Sequence, residues 1–328
     1  MPVTIDGTTG ITTPNLVNGT ALAFRNKIIN GNFDIWQRGT SLVSGTGARY
    51  LADRFTNGSA GTTCTAAQSV FTLGQTAVPN EPDYYISTAV TSVAGASNNA
   101  TLHQHIESVK SCAGKTVTLS FYAKSNASRN IAVELYQNFG TGGTPSTSVS
   151  IPAGLVALTT SWQKFTVTVN IPSISGKTLG TAGNDSLVVY FWFDAGSSFA
   201  TRASSLGQQS GTFDIAQVQL EEGSVATPFE LRPIGTELAL CQRYYQILTE
   251  IMNSGYTTAG TSQTFTGILP VKMRTTPAMS WTVATMSGGT VTAVSAFGPD
   301  TFQLQNRPSL NPGSFQCNLT DVKFDAEL

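Results

Sequence analysis

The chain has 328 residues, of which 40% are hydrophobic and 11% are charged, and its formal net charge is -1. This length and apolar content allow a sizeable core, so a disordered protein is excluded and two domains are expected. Because there is no basic excess to attract a phosphate backbone, nucleic acid is not expected as a partner.

The amino-terminal segment, residues 1–24, is rich in glycine and threonine, with turn dipeptides such as Asp6-Gly7 and Asn18-Gly19. It is too short to bury a core alone, so we interpret it as an attachment or stem segment that orders against a partner. A leader without a role is the alternative. The segment has no signal-peptide pattern, and no stretch approaches the roughly 18 apolar residues of a membrane span, so synthesis in a cytoplasm is expected.

Residues 25–235 form a series of strand-like runs separated by turn clusters, which predicts an all-β antiparallel sandwich. Thr116–Lys124 alternates between apolar and polar residues, and its apolar set is predicted to face the core: Val117, Leu119, Phe121 and Ala123. The run Leu187–Phe193 lacks this alternation, which indicates a strand buried on both faces. Alternatively, one of its faces lines a ligand groove.

Two segments far apart in sequence bracket this region, Arg25–Asp53 and Gly211–Gln246. A closed antiparallel sandwich needs its first and last strands to pair. We therefore predict that the stretch beginning near Asn30 and the stretch ending near Phe229 lie side by side as neighbouring strands.

After Pro233, apolar residues recur in steps of three and four from Thr236 to Met252, which predicts a short connecting helix with Thr236 as its N-cap. A coiled-coil seam and a tyrosine-rich strand at Arg243–Gln246 are the alternatives. Strand and turn signals follow, so residues 236–328 are predicted to form a smaller β-domain.

The four cysteines show no metal-ligand spacing and are interpreted as buried thiols, with a disulfide between Cys64 and Cys112 as the alternative. Strand alternation places His103 and His105 on one face. Such a pair can ligate a metal or hydrogen-bond a sugar, but we favour two solvent-facing side chains.

The acidic residues give no support for hydrolytic catalysis, which would require two carboxylates flanking a sugar bond. Glu221 and Glu222 are adjacent and so point to opposite faces of a strand. Other acidic residues are isolated in polar contexts: Asp53, Asp83, Glu107, Glu134, Asp194 and Asp214. The sequence also lacks GxSxG, HExxH and phosphate-loop motifs. We therefore do not expect an enzyme.

A sugar ring stacks its apolar face on aromatic side chains and offers its hydroxyls to amides and carboxylates. The strands of the predicted sandwich carry both kinds of side chain, and the candidate carbohydrate-binding residues are Tyr136, Tyr190, Trp192, Gln104 and Glu134.

The opening NGNFDIWQRG and the closing QLEEGSVATPFELRPIGTELALCQRYY resemble bacteriophage tail fibre or receptor-binding proteins that carry a carbohydrate-binding jelly roll. The resemblance covers residues 25–246. In addition, Val271–Pro277 resembles a sequence motif that follows this module in phage tail proteins. The resemblance implies a jelly-roll sandwich, a homotrimer located in the virion, attachment to other virion proteins through residues 1–24, and adhesion to host surface polysaccharide. It also implies that Trp36 and Trp162 are core residues.

The resemblance also implies a structural calcium site, for which Asp34 could serve as a ligand. Ala216 and Gln217 stand where such modules usually carry acids, so calcium is not expected. Two other functions remain open: a structural virion component, such as a decoration or adaptor protein, and a polysaccharide depolymerase.

Overall fold

The computed structural model describes residues 4–6, 10–12, 24–42, 47–257, 263–287, 289–308 and 313–328. Within them the fold is all-β and antiparallel, with one α-helix, α1 (Ile234–Gln242), and one 3-10 turn at Ser197–Phe199. The strands that precede the helix are β1 (Thr4–Asp6), β2 (Gly10–Thr12), β3 (Ser41–Leu42), β4 (Gly47–Tyr50), β5 (Phe55–Ala60), β6 (Thr63–Val70), β7 (Tyr84–Thr91), β8 (Asn99–Ile106), β9 (Thr116–Ser125), β10 (Arg129–Asn138), β11 (Val149–Leu158), β12 (Gln163–Asn170), β13 (Ser186–Ala195) and β14 (Gly211–Glu222). Those that follow it are β15 (Tyr245–Thr257), β16 (Gln263–Ile268), β17 (Ala278–Ser287), β18 (Gly289–Ala296), β19 (Thr301–Pro308) and β20 (Gly313–Asp325).

Two six-stranded sheets form a jelly-roll sandwich. The first sheet has the order β11-β10-β13-β8-β5-β4, and the second has the order β12-β9-β14-β7-β6-β3. The apolar set predicted on β9 faces the core, since all four of its side chains are fully buried. The predicted fold class is therefore confirmed.

The opening segment, residues 24–40, runs beside the second half of β14. The Lys27 N–H donates to the carbonyl of Leu220 at 2.8 Å, and the Val218 N–H donates to the carbonyl of Gly31 at 2.8 Å. β7 pairs only with residues 211–215 of β14, so the opening segment takes the place that β7 leaves. The predicted adjacency is present, but the opening segment is irregular rather than a strand, and β14 lies inside its sheet.

The helix is shorter than predicted and begins three residues earlier, with Pro233 in place of Thr236 as its N-cap. It starts after Pro233, and Thr236 lies within its first turn and is not the N-cap. Met252 belongs to β15, which pairs with β20 from Tyr245 to Thr257. Long-range pairing has overridden the helical spacing, and the tyrosine-rich strand alternative is correct for Tyr245 and Gln246.

The strands after the helix form two three-stranded sheets, β15-β20-β17 and β16-β19-β18, around a second hydrophobic cluster that includes Leu304, Leu319 and Phe324. The predicted domain boundaries at residues 24/25 and 235/236 stay predictions. Of the predicted attachment segment, β1 and β2 form a hairpin, and the remainder before Phe24 lies outside the described residues.

The four cysteines are buried free thiols, and Cys64 and Cys112 are not bridged. Burial raises the pKa of the Cys64 thiol to about 11, so this thiol stays protonated at neutral pH. Among the described residues, no helix is long and apolar enough to cross a membrane.

Candidate functional site

The outer face of the first sheet, opposite the core, gathers most of the predicted site residues. On β13, Tyr190 and Trp192 alternate with core residues, and on β10, Glu134 and Tyr136 do the same. The register pairs Glu134 with Tyr190, so these side chains are neighbours across the two strands. Four of the five predicted residues are therefore brought together.

Glu134 is fully buried and accepts hydrogen bonds from three side chains. Arg202 donates to its two oxygens at 2.8 and 3.0 Å, Trp192 Nε1 donates at 3.0 Å and Ser150 Oγ donates at 2.6 Å. Because both oxygens are occupied, Glu134 is engaged within the protein, and its contact with a carbohydrate stays a prediction. It holds Arg202 and Trp192 in position.

Arg202 comes from the loop between β13 and β14. Its guanidinium carbon lies 4.5–5.2 Å from the centroids of three rings, those of Tyr136, Tyr190 and Trp192. The loop also packs Phe199 on Trp192, with ring centroids 5.2 Å apart, and only 2% of Trp192 is exposed. Trp192 therefore supports the site from below, and Tyr190 is left partly open. Burial raises the pKa of the Tyr190 hydroxyl, so it remains a hydrogen-bond donor.

A groove of about 280 Å³ crosses β13, β8, β5 and β4 on this face. Its volume is close to the lower end of the range of about 300–1,000 Å³ for small-molecule sites. Gly58 contributes no side chain to the floor of the groove. A Cβ added there would lie only 2.8 Å from Thr101 Oγ1, so a larger residue would not fit without a shift. The groove is lined by Gly47, Ala48, Gly58, Ser59, Ala60, Asn99, Thr101, His103, Tyr190, Trp192, Phe199 and Arg202.

The two histidines lie on this face but are not solvent-facing, so that prediction was wrong. Only 8% of His103 is exposed, and its ring centroid lies 4.6 Å from that of Tyr190. Burial, with the nearby charges, lowers the pKa of His103 to about 3 and that of His105 to about 4. Both rings are therefore neutral at physiological pH, and His103 can exchange hydrogen bonds with a ligand in the groove.

Gln104 does not reach this face. Its side-chain amide is 1% exposed and pairs with the backbone of Ile29, accepting from the N–H and donating to the carbonyl at 2.8 Å each. It connects the opening segment to β8 and is not grouped with the other four candidate residues, so its contact with a ligand stays a prediction. The alternation had placed Gln104 opposite His103, but it could not say which face was the core.

The two tryptophans interpreted as core residues differ. Trp36 packs against the main hydrophobic core, in agreement with the prediction. Trp162 lies on the outer face of the second sheet, 5.1 Å from the ring centroids of Phe71 and Tyr85 and 5.2 Å from the Lys124 ammonium. The core interpretation of Trp162 was wrong.

Asp34, the candidate calcium ligand, lies near two other acidic residues, Asp83 and Glu237. Its carboxylate accepts two hydrogen bonds from Asn32 Nδ2, and burial raises its pKa. The positive charge at this join comes from Arg232, which lies between Glu230 and Glu237. In the part of the chain that the structure describes, no group of three or more metal-ligating side chains occurs. The expectation that Asp34 holds no calcium stays a prediction.

Sequence reasoning missed Arg202, which holds the centre of the site. It is the only charged residue between Asp194 and Asp214, in a chain where charged residues are scarce. An isolated charged residue in a polar loop was the sequence feature that could have indicated Arg202 as a site residue.

Replacing Glu134 with glutamine is expected to lower the free energy of unfolding by about 2 kcal/mol, because hydrogen bonds to a charged group contribute roughly 1.5–3 kcal/mol. Urea denaturation measures the loss, and faster amide exchange in residues 196–206 would show that the loop is released. The control is Glu222→Gln, whose partner Lys115 is exposed and for which we expect a change of less than about 1 kcal/mol. Equal effects of the two substitutions would contradict the role given to Glu134.

Residues 26–187 match the model of the carbohydrate-binding domain family CBM_4_9. The matched region includes His103, Glu134 and Tyr136, and it ends before Tyr190 and Arg202. The match supports carbohydrate binding by the sandwich. No curated protein matches the chain.

Three solved structures are similar to parts of the chain at low identity. A CBM4 module is 20% identical, with 59% of this chain and 98% of that chain covered and a TM-score of 0.32. A family 11 carbohydrate-binding module from Clostridium thermocellum, in complex with a beta-1,3-1,4-mixed-linked tetrasaccharide, is 12% identical, with coverage of 56% and 100% and a TM-score of 0.32. The enzymatically active domain of tailspike protein 4 from bacteriophage CBA120 is 13% identical, with coverage of 61% and 22% and a TM-score of 0.30.

Proposed function

We propose that this chain binds a carbohydrate in the groove on the outer face of its first sheet. The observation that carries the proposal is the groove itself, in which the partly open Tyr190 ring adjoins His103 and Arg202. The family match over residues 26–187 supports it independently.

The groove's side chains suit a sugar ring. The apolar face of a pyranose stacks on Tyr190, and Thr101, His103, Asn99 and Arg202 exchange hydrogen bonds with its hydroxyls. Because Glu134 already holds the guanidinium, little conformational freedom is lost when the ligand binds.

The biological role that we propose is adhesion: a bacteriophage tail fibre or receptor-binding protein in the virion, a homotrimer that binds host surface polysaccharide. This role is supported by the resemblance of the opening and closing sequences to those of such proteins. The groove is short, so weak sites in several copies would combine into useful avidity. Residues 1–24 would attach the chain to other virion proteins.

The test is a glycan array with the full chain and two variants. Ala48→Arg places a long side chain in the groove from an exposed position on β4, and Tyr190→Ala removes the stacking ring. We expect each to weaken binding at least tenfold. Tyr256→Ala, at a 72% exposed site on β15, is the matched control and should bind normally.

Thermal unfolding of each variant checks that it is folded. Undiminished binding by a folded Ala48→Arg variant would place the ligand elsewhere. A folded wild-type chain that binds no glycan on the array would contradict the proposal, and release of reducing ends from host capsule would instead establish a depolymerase.

A further inference from the structure

A second and larger cavity lies where the opening segment meets the sheet β15-β20-β17. It has a volume of about 600 Å³ and shares no lining residue with the groove. We infer that this junction cleft is a second carbohydrate-binding site. It is lined by Gln37, Arg38 and Gly39 from the opening segment, Tyr245 and Ile247 from β15, Ala278, Met279 and Ser280 from β17, and Asp321, Lys323 and Asp325 from β20.

The floor of the junction cleft is made by two rows of paired residues. Asp325 on β20 lies between Tyr245 and Ala278, and Lys323 lies between Ile247 and Ser280. Strand pairing therefore holds charged and apolar side chains side by side across three strands. A floor built on strands keeps its geometry before a ligand arrives.

The wall of the junction cleft is equally well held. Gln37 Nε2 donates to the carbonyl of Tyr245 at 3.0 Å. The Arg38 guanidinium carbon stacks 3.6 Å from the ring centroid of Tyr245 and 4.7 Å from that of Tyr50. The wall is thus fixed to the floor by a hydrogen bond and by stacking, so binding requires little ordering of the protein.

Hydrogen-bonding capacity remains unused in the junction cleft. Arg38 Nη2 lies 3.3 Å from Asp325 and from Glu327, so this guanidinium is already paired with carboxylates. Lys323 is exposed on the floor and forms no salt bridge with any residue that the structure describes.

The charges on the lining define the ligand. Two cations, Arg38 and Lys323, are balanced by two carboxylates, Asp321 and Asp325. A phosphate or carboxylate would meet acids as well as bases, whereas a molecule rich in hydroxyls can donate to the acids and accept from the bases. Apolar surface lies between them at Ile247, so the lining suits a sugar with polar edges and an apolar face. The volume, about twice that of the groove, suits a disaccharide or longer.

The experiment is isothermal titration calorimetry of the full chain with lactose, cellobiose, maltose and chitobiose. In the Ala48→Arg background, which blocks the groove, we expect one binding event to remain for at least one of these sugars. Ser280→Trp fills the junction cleft from an exposed position and should weaken that event at least tenfold. Lys323→Gln should weaken it about threefold to tenfold, and Lys272→Gln, an exposed lysine outside the cleft, should leave it unchanged.

Loss of all binding in the Ala48→Arg variant would overturn the inference and leave the proposed groove standing. Binding that survives Ser280→Trp and Lys323→Gln would also overturn it. If Ser280→Trp alone removes every event and Ala48→Arg removes none, the junction cleft stands and the groove fails. No binding to the wild-type chain at millimolar sugar would count against the junction cleft. Lys323 is on the surface, so its variant stays informative even if Ser280→Trp does not fold.

Discussion

Replacing Glu327 with glutamine is expected to lower the free energy of unfolding by about 3–5 kcal/mol, the usual cost of breaking a buried ion pair from one side. Glu327 pairs with Arg54 and with Arg38, and only 1% of the Arg54 side chain is exposed. Arg54 also donates to the carbonyl of His105 at 2.6 Å and stacks 3.4 Å above the Tyr244 ring. Without the carboxylate, a buried guanidinium loses its counter-charge.

Denaturation by guanidinium chloride measures this loss. The matched control is Glu81→Gln, an exposed glutamate whose replacement should change stability by less than about 0.5 kcal/mol. A loss below 1 kcal/mol for Glu327→Gln would mean that Arg54 is compensated by another group or by solvent.

Acid is expected to destabilise the protein through its two buried histidines. Burial lowers the pKa of His103 to about 3 and that of His105 to about 4, against about 6.5 in an unfolded chain. Between pH 6.5 and these values the unfolded state binds the protons and the folded state does not, so stability falls as the pH falls. At pH 5 each histidine costs about 2 kcal/mol relative to pH 7.5, and the pair costs about 4 kcal/mol.

The measurement compares wild type with the double variant His103→Gln and His105→Gln at pH 7.5 and pH 5. The carboxyls of Asp34 and Asp53 have raised pKa values and contribute with the opposite sign, but both proteins share them and the difference removes them. The variant should lose about 4 kcal/mol less than wild type over this interval. Parallel losses in the two proteins would show that the histidines accept protons in the folded state.

Local patterns predicted the strands and the grouping of the aromatic residues. Alternation on β9 is a property of neighbouring residues, and it correctly identified the buried face of that strand. Tyr136 and Tyr190 share a face because β10 and β13 pair in a register that brings Glu134 opposite Tyr190. The sequence therefore showed which residues of each strand share a face, whereas the pairing register between strands is known only from the structure.

The sequence-based predictions failed where contacts with residues far away in the chain determine the local structure. Met252 fits a helical spacing, yet it lies in a strand because β15 and β20 are paired through twelve residue pairs. Gln104 was grouped with the aromatic candidates, yet it lies apart from them because its amide pairs with the opening segment, 75 residues away in sequence. Arg202 could not be placed, because nothing local shows that its loop folds back over the sheet to reach Glu134.

The position of the opening segment has a consequence for how the chain folds during synthesis. Asn26 bonds to Val218 and Glu230, which follow it by 192 and 204 residues. At about 5–20 residues per second, the ribosome needs roughly 10–40 s to deliver those partners. The opening segment therefore docks late in translation, and until then it exposes apolar side chains such as Ile28 and Phe33 that the finished sandwich buries completely.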